Sequence, residues 1–190
     1  MGEKRAVSFH RRSVPRLFYK SVFDALILAA LVAMIVFALN FAGVPASGQF
    51  VAIDGDSLRR DDVDFRLHGI DAPELHQTCM NEAGGDYPCG REAQRALSQL
   101  VRGATLSCPA IDTDRYGRVV ATCQGGGRDV NGEMVRLGWA IAYRKHSHSY
   151  IDEENEAREA RRGIWQGAFE SPEQWRAGHR QTIVRSDLGE

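Results

Sequence analysis

Apolar positions along this chain form one long unbroken run and then a series of short alternating ones. Residues Ala25 to Leu39 read ALILAALVAMIVFAL, fifteen apolar residues without a break. With Val22, Phe23 and Phe41 to Val44 the stretch reaches 23 residues, interrupted only by Asp24 and Asn40. About 20 such residues span a bilayer, and the run has no polar face that would suit a buried soluble helix. It predicts a transmembrane helix over 21–44. Further on, alternation predicts five short strands: Phe50 to Ile53, Ser57 to Arg60, Val63 to Ile70, Thr105 to Ile111 and Val119 to Gln124. The turns between the first three are "DGD" (Asp54 to Asp56) and "RDD" (Arg60 to Asp62). In "GREAQRALSQLVRG", Ala93, Leu97, Leu100 and Val101 share a helical face, and Gly103 ends it. Two more helices are predicted at about Val130 to Leu137 and Ile151 to Arg162, the last acidic first and basic last, as the helix dipole favours.

The order β-β-β-α-β-β-α-α is that of a five-stranded OB-fold β-barrel with three helices. The expected class is α+β, preceded by the N-terminal transmembrane helix. The expected organisation is a basic cytoplasmic segment at 1–20, an anchor or signal sequence at 21–44, a linker at 45–49, the OB-fold domain at 50–176 and a polar, frayed tail at 177–190. The 75–90 stretch reads as a long Gly-rich loop.

The flanks of the apolar run orient it. Lys4, Arg5, Arg11, Arg12, Arg16 and Lys20 precede it, and no Lys or Arg follows until Arg59. The positive-inside rule places the N-terminus in the cytoplasm and the rest of the chain in the periplasm or outside the cell. "VPA" (Val44 to Ala46) would suit a signal peptidase and a secreted product. The long flank before the run and Pro45 favour an uncleaved anchor.

All four cysteines follow the anchor. If the turn in "PAIDTDRYGRVVAT" centres on Arg115-Tyr116, residues whose numbers sum to 231 face each other, and Cys108 and Cys123 satisfy this. Cys79 and Cys89 are then left to pair across the Gly-rich loop. A zinc site made from all four is the alternative, but no CxxC spacing supports it. Two disulfides fit an oxidising compartment.

Charge restrains the choice of partner. The formal net charge is −1, of which residues 1–20 contribute +5 (six basic, one acidic), leaving −6 for the remainder. The outer part is therefore no broad polyanion-binding surface, and a nucleic acid would have to be held by a local site.

The candidate chemistry lies in a few carboxylates and arginines. Asp56, Asp71 and Glu74 are hard oxygen donors that suit a cation such as Ca²⁺, although "DGD" alone reads as an ordinary turn. Arg66 and Arg118 carry guanidinium forks that match phosphate oxygens. Together these residues describe a phosphodiester-cleaving site, with metal and guanidinium for charge and a carboxylate for water. "HSH" (His146 to His148) reads as an exposed polar loop with no third ligand nearby. His68 reads equally as a neighbour of Arg66 or as a satisfied strand histidine.

In order, "DGDS", "FRLHGIDAPE", "GREA", "DRYGR" and "VRLGWA" resemble the staphylococcal-nuclease-like, or thermonuclease, family over about Phe50 to Trp165, and "SPEQWR" is similar to the tail of its bacterial members. The resemblance implies a Ca²⁺-dependent nuclease acting on DNA and RNA and leaving 3′-phosphate ends. It implies Asp56, Asp71 and the backbone carbonyl of Ala72 as metal ligands, and Arg66, Glu74 and Arg118 as catalytic residues. Tyr116 and Tyr143 correspond to the substrate pocket. Ala72 departs from a threonine, mildly, since only its carbonyl is implied. The 75–90 loop is a further departure that bears on access to the site. A monomer is expected. A noncatalytic nucleic-acid-binding domain would show losses among Asp56, Arg66, Asp71, Glu74 and Arg118, and all five are present. A membrane-tethered protein-interaction module would bind calcium without hydrolysis.

Overall fold

The computed structural model describes residues 24–35, 46–145 and 147–187, with side chains through residue 179. The basic segment 1–20, most of 21–44, His146 and residues 188–190 lie outside the described residues. The chain divides into two compact units, Met1–Gly43 and Val44–Glu190. In the first, residues 24–35 form a helix, α1, with exposed side chains. The membrane-spanning helix expected over 21–44 falls mostly outside the described residues; among the described residues no helix is long and apolar enough to cross a membrane.

The second unit is α+β. Its first extended segment carries β1 (Ala46–Gly48) and β2 (Val51–Ala52). β3 (Ser57–Arg60) and β4 (Val63–Leu67) follow as a hairpin with Ser57 opposite Arg66. Alternation decides what β4 shows: Phe65 and Leu67 are buried, and Arg66 between them is on the other face. Phe65 meets Phe50 edge to face, with centroids 5.1 Å apart. The strand expected to run to Ile70 stops at Leu67. Gly69 takes φ +76°, and the chain turns before β5 (Ile70–Asp71).

The expected 75–90 loop holds a small hairpin, β6 (Cys79–Met80) and β7 (Asp86–Tyr87), closed by the Cys79–Cys89 disulfide. Helix α2 (Cys89–Val101) buries Ala93, Leu97 and Val101, the face expected from their spacing. Pro109, which has no N–H to donate, lies where the fourth expected strand divides into β8 (Leu106–Cys108) and β9 (Ala110–Thr113). The fifth divides into β10 (Val119–Ala121) and β11 (Gln124–Gly125), which turns back through β12 (Arg128–Asp129).

One sheet has the order β2-β3-β4-β10-β9, with β10 parallel to β4; a second runs β1-β8-β11-β12. The segments 46–52 and 106–113 each contribute a strand to both. Next to the turn Val120 faces Asp112, one residue off the expected register, and a bulge between Val120 and Ala121 restores it, so that Ala121 faces Ala110. The Cys108–Cys123 disulfide forms as expected. No free cysteine remains for a zinc site.

Helix α3 (Val130–Arg136) is capped by the Asp129 carboxylate, which accepts from the N–H groups of Asn131 and Gly132. It is followed by β13 (Ile141–Ala142), paired with β5, and α4 (Ile151–Glu159). The core joins Leu58, Phe65, Leu67 and Ile70 to Leu97, Leu106, Met134 and Val135. Two expectations at the ends are corrected. Residues 46–48, expected as part of the linker at 45–49, form β1, paired with β8. The described part of the tail read as frayed, residues 177–187, continues helix α5 (Pro172–Asp187). The segment before it packs on the second hydrophobic cluster, where Ile164, Trp165 and Phe169 meet the Cys79–Cys89 bridge.

Candidate active site

The site is assembled where β4 and β5 leave the sheet. Asp56 ends the turn after β2, and its backbone N–H donates to Asp54 Oδ1 at 2.9 Å. That turn lies flat on its neighbours: a Cβ on Gly55 would stand 2.6 Å from Ala72 Cβ and 2.7 Å from Ala93 Cβ. Small residues at 55, 72 and 93 thus let "DGD" approach the segment that carries Asp71. The Asp56 carboxylate is buried, accepting from the Ala72 N–H at 2.8 Å and the Ser57 hydroxyl at 3.2 Å. Burial pushes its pKa up to about 7, with Asp54 and Asp71 adding to the rise and Arg66 opposing it.

Arg66 joins the carboxylates. Its Nη1 donates to Asp56, and its Nη2 donates to Asp71 Oδ1 at 2.9 Å and to the Ile70 carbonyl at 3.3 Å. Desolvation would lower this guanidinium, but Asp56 and Asp71 hold its pKa above the ordinary value. Asp71 is fully buried on β5 and is fixed by pairing with Ile141. Asp56 and Asp71 therefore stand side by side on one guanidinium.

Glu74 follows Pro73 and is about one-third exposed. Its loop rests on the start of α2, where a Cβ on Gly90 would come within 1.8 Å of the Glu74 carbonyl oxygen. The glycine of "GREA" is explained by that approach. Gln77, fully buried, accepts from the Glu74 N–H at 3.1 Å.

The opposite wall is the β9–β10 turn. Asp114 organises it, accepting from the N–H groups of Tyr116 and Arg118 at 2.9 and 3.0 Å and from Arg118 Nε at 2.7 Å. Burial would raise the Asp114 carboxyl, but the hydrogen bonds from Arg118 and the turn hold it below its usual value. Tyr116 is exposed, with Arg115 4.8 Å above its ring centroid and Arg118 5.6 Å from it. A cleft of about 980 Å³ contains Asp56, Arg66, Ala72, Glu74, Tyr116, Arg118 and Tyr143 on its walls. All the expected site residues but Asp71 line this cleft, with His68; Asp71 is buried beneath it, on Arg66. Arg118 pairs with Asp114 rather than with the Asp56–Asp71 pair. None of the described lining residues comes from the 75–90 loop, which instead packs on the C-terminal segment through the Met80 N–H and the Ala168 carbonyl, 2.8 Å apart.

Sequence reasoning missed Arg176. It reaches the cleft from α5 and donates to Asp71 and Glu74. The only sequence signal was its place in "SPEQWR". Among the described residues no three His, Cys, Asp or Glu side chains cluster as a ready-made metal cage. The carboxylates of Asp56 and Asp71, side by side on Arg66, are hard oxygen donors and fit a hard divalent cation. Asp56, buried and raised, is a group that such a cation would relieve.

Comparison with known proteins agrees with this geometry. The profile of the family described as staphylococcal nuclease homologue matches residues 64–167. The chain is 35% identical over 127 residues to the succinoglycan biosynthesis protein ExoI of Rhizobium meliloti (strain 1021), covering 65% of this chain and 66% of that one. It is 35% identical over 136 residues to an uncharacterized endonuclease of Escherichia coli, covering 68% and 82%. It is 32% identical over 147 residues to the staphylococcal-like nuclease CAN1 of Arabidopsis thaliana, covering 75% and 42%. The matched span runs from β4 past α4, taking in Arg66, Asp71, Glu74 and Arg118, and with it the chain belongs to the staphylococcal nuclease homologue family.

Proposed function

We propose that this protein hydrolyses phosphodiester bonds in DNA or RNA with Ca²⁺, and that it does so from a membrane anchor outside the cytoplasm. The observation that carries the reading is the meeting of Asp56, Arg66 and Asp71 beside Glu74, with Arg118 and Tyr116 across one cleft. Asp56, Asp71 and the Ala72 carbonyl would hold the cation, which when bound supplies positive charge to the phosphate. Arg66 and Arg118 offer guanidinium N–H groups to the phosphoryl oxygens as negative charge builds on them. Glu74 takes the proton of the water that attacks phosphorus, the P–O5′ bond breaks, the 5′-oxygen takes a proton from solvent and leaves as a hydroxyl, and a 3′-phosphate remains. Tyr116, exposed and flanked by arginines, offers a face for a base. The cleft provides a local site on an otherwise acidic domain, so binding is salt-sensitive and limited to strands that enter it.

An OB-type barrel is supported by the parallel β4–β10 pair and by the three segments, 46–52, 106–113 and 119–125, that carry strands into both larger sheets. Membrane attachment and an extracytoplasmic domain are supported by the apolar run over 21–44, the basic residues before it and the two disulfides.

The test uses the full chain folded under oxidising conditions, given single-stranded DNA, duplex DNA and RNA with Ca²⁺ or EDTA. Cleavage is expected with Ca²⁺ only, and Glu74→Gln and Arg118→Ala are each expected to lose about 10² to 10³ in rate. Absence of metal-dependent cleavage in the wild type, or full activity in both variants, defeats the reading.

A further inference from the structure

Arg176 occupies the groups that the reaction needs. Its Nη1 and Nη2 fork onto Asp71 Oδ1 and Oδ2, both at 3.0 Å, and Nη1 also reaches Glu74 Oε1 at 2.7 Å. Arg66 already donates to Asp71 Oδ1 at 2.9 Å. A carboxylate offers about four lone-pair positions, so guanidinium N–H groups fill most of those on Asp71. With Arg176 in place, Glu74 is tied to a cation instead of being open to water.

The arm that delivers Arg176 is built into the fold. Gln77 donates its Nε2 to the Glu170 carbonyl at 2.7 Å while its Oε1 accepts from the Glu74 N–H at 3.1 Å. One buried side chain therefore fixes both the Glu74 loop and the segment entering α5. Glu173, in the first turn of α5, pairs with Lys145 at 2.5 Å. These contacts hold the backbone, while the Arg176 side chain, 30% exposed, keeps a path to move.

Charge indicates what moves it. Asp56, Asp71 and Glu74 carry three negative charges when ionised, and Arg66 and Arg176 return two positive ones. A divalent cation entering beside both arginines leaves the cluster positive, whereas one that replaces Arg176 leaves it neutral. We propose, resting on the nuclease reading, that Arg176 is a resident cation of the active site: it holds Asp71 and Glu74 while no metal is bound, and a divalent cation binds by displacing its guanidinium. Arg176 is thus a positioning residue that sets the threshold concentration of the metal.

The full chain, in detergent and stripped with EDTA, is titrated with Ca²⁺ alone by isothermal calorimetry beside Arg176→Ala and Arg176→Lys. Arg176→Ala is expected to bind Ca²⁺ about tenfold tighter, because one charge-assisted competitor is gone. Arg176→Lys, which keeps the charge but loses the fork, is expected to fall between the two. Unchanged or weaker binding by Arg176→Ala overturns the inference; if that variant does not fold, Arg176→Lys is held to the same standard against wild type. Ca²⁺-dependent cleavage by the wild type with no tightening in the variants sinks this inference and leaves the nuclease reading standing. No Ca²⁺ binding and no cleavage by any form sinks both. Binding by Arg176→Ala alone supports displacement.

Discussion

Arg66 shows how one residue can be structural and chemical together. It lies between buried Phe65 and Leu67 on β4, yet on the opposite face, and it joins two buried carboxylates. Removing one partner of such a cluster leaves uncompensated charge, which typically destabilises by about 3–5 kcal/mol. Arg66→Ala should therefore lower the melting temperature as well as cleavage, whereas Arg118→Ala, on an outer turn, should lower cleavage with little change in melting. Equal melting temperatures for the two variants would contradict this division. The sequence showed Arg66 by the two-residue period of a strand, and Asp71 and Glu74 as carboxylates placed around Pro73 just after it. Arg176 was not legible in the same way. It lies 102 residues from Glu74 in the chain, and nothing local marks a helical arginine as a group of that cleft.

At the scale of elements, the site depends on close approaches more than on strand identity. Gly90 lets α2 begin against the Glu74 loop, and a methyl group there meets a backbone carbonyl, which cannot swing aside. Gly90→Ala should shift Glu74 and reduce turnover at least as much as substrate affinity, read from kcat and KM separately. Near-normal kcat would show that the loop is not held by this contact. The β9–β10 turn makes a pH prediction. The folded-state pKa of Asp114 is depressed, so its contribution is present above the unfolded carboxylate value and is lost as pH falls through the lower, folded value. Thermal melts of wild type and Asp114→Asn should differ most near neutral pH and converge in acid. Helical faces and three of the turns were legible because period and turn chemistry are local. The breaks at Pro109 and Gly69, and the bulge at Val120/Ala121, depend on which partner strand is met. That is why the expected register held at Cys108 and Cys123 but not next to the turn.

For the whole molecule, the two disulfides brace different parts. Cys108–Cys123 joins β8 to the link between β10 and β11 within the main core, and Cys79–Cys89 anchors the cluster that carries the chain into α5. Closing a loop with a sequence separation of 15 stabilises by about 3 kcal/mol. Replacing both Cys108 and Cys123 by serine should lower melting accordingly, while the Cys79/Cys89 double replacement should loosen α5 and with it the Arg176 contacts. Mass mapping that found native thiols at Cys108 and Cys123 would refute the bridge itself. The sequence by itself determined the apolar run and its charge flanks, the α+β order, the disulfide pairs and five of the candidate site residues. Each of these is written in local periodicity or in motifs of a few residues. Only the tertiary structure decided that residues 46–48 form a strand, that the tail is a helix, and that its Arg176 rests on Asp71 and Glu74. Those outcomes depend on contacts between distant segments, and a chain read in order carries no local mark of them.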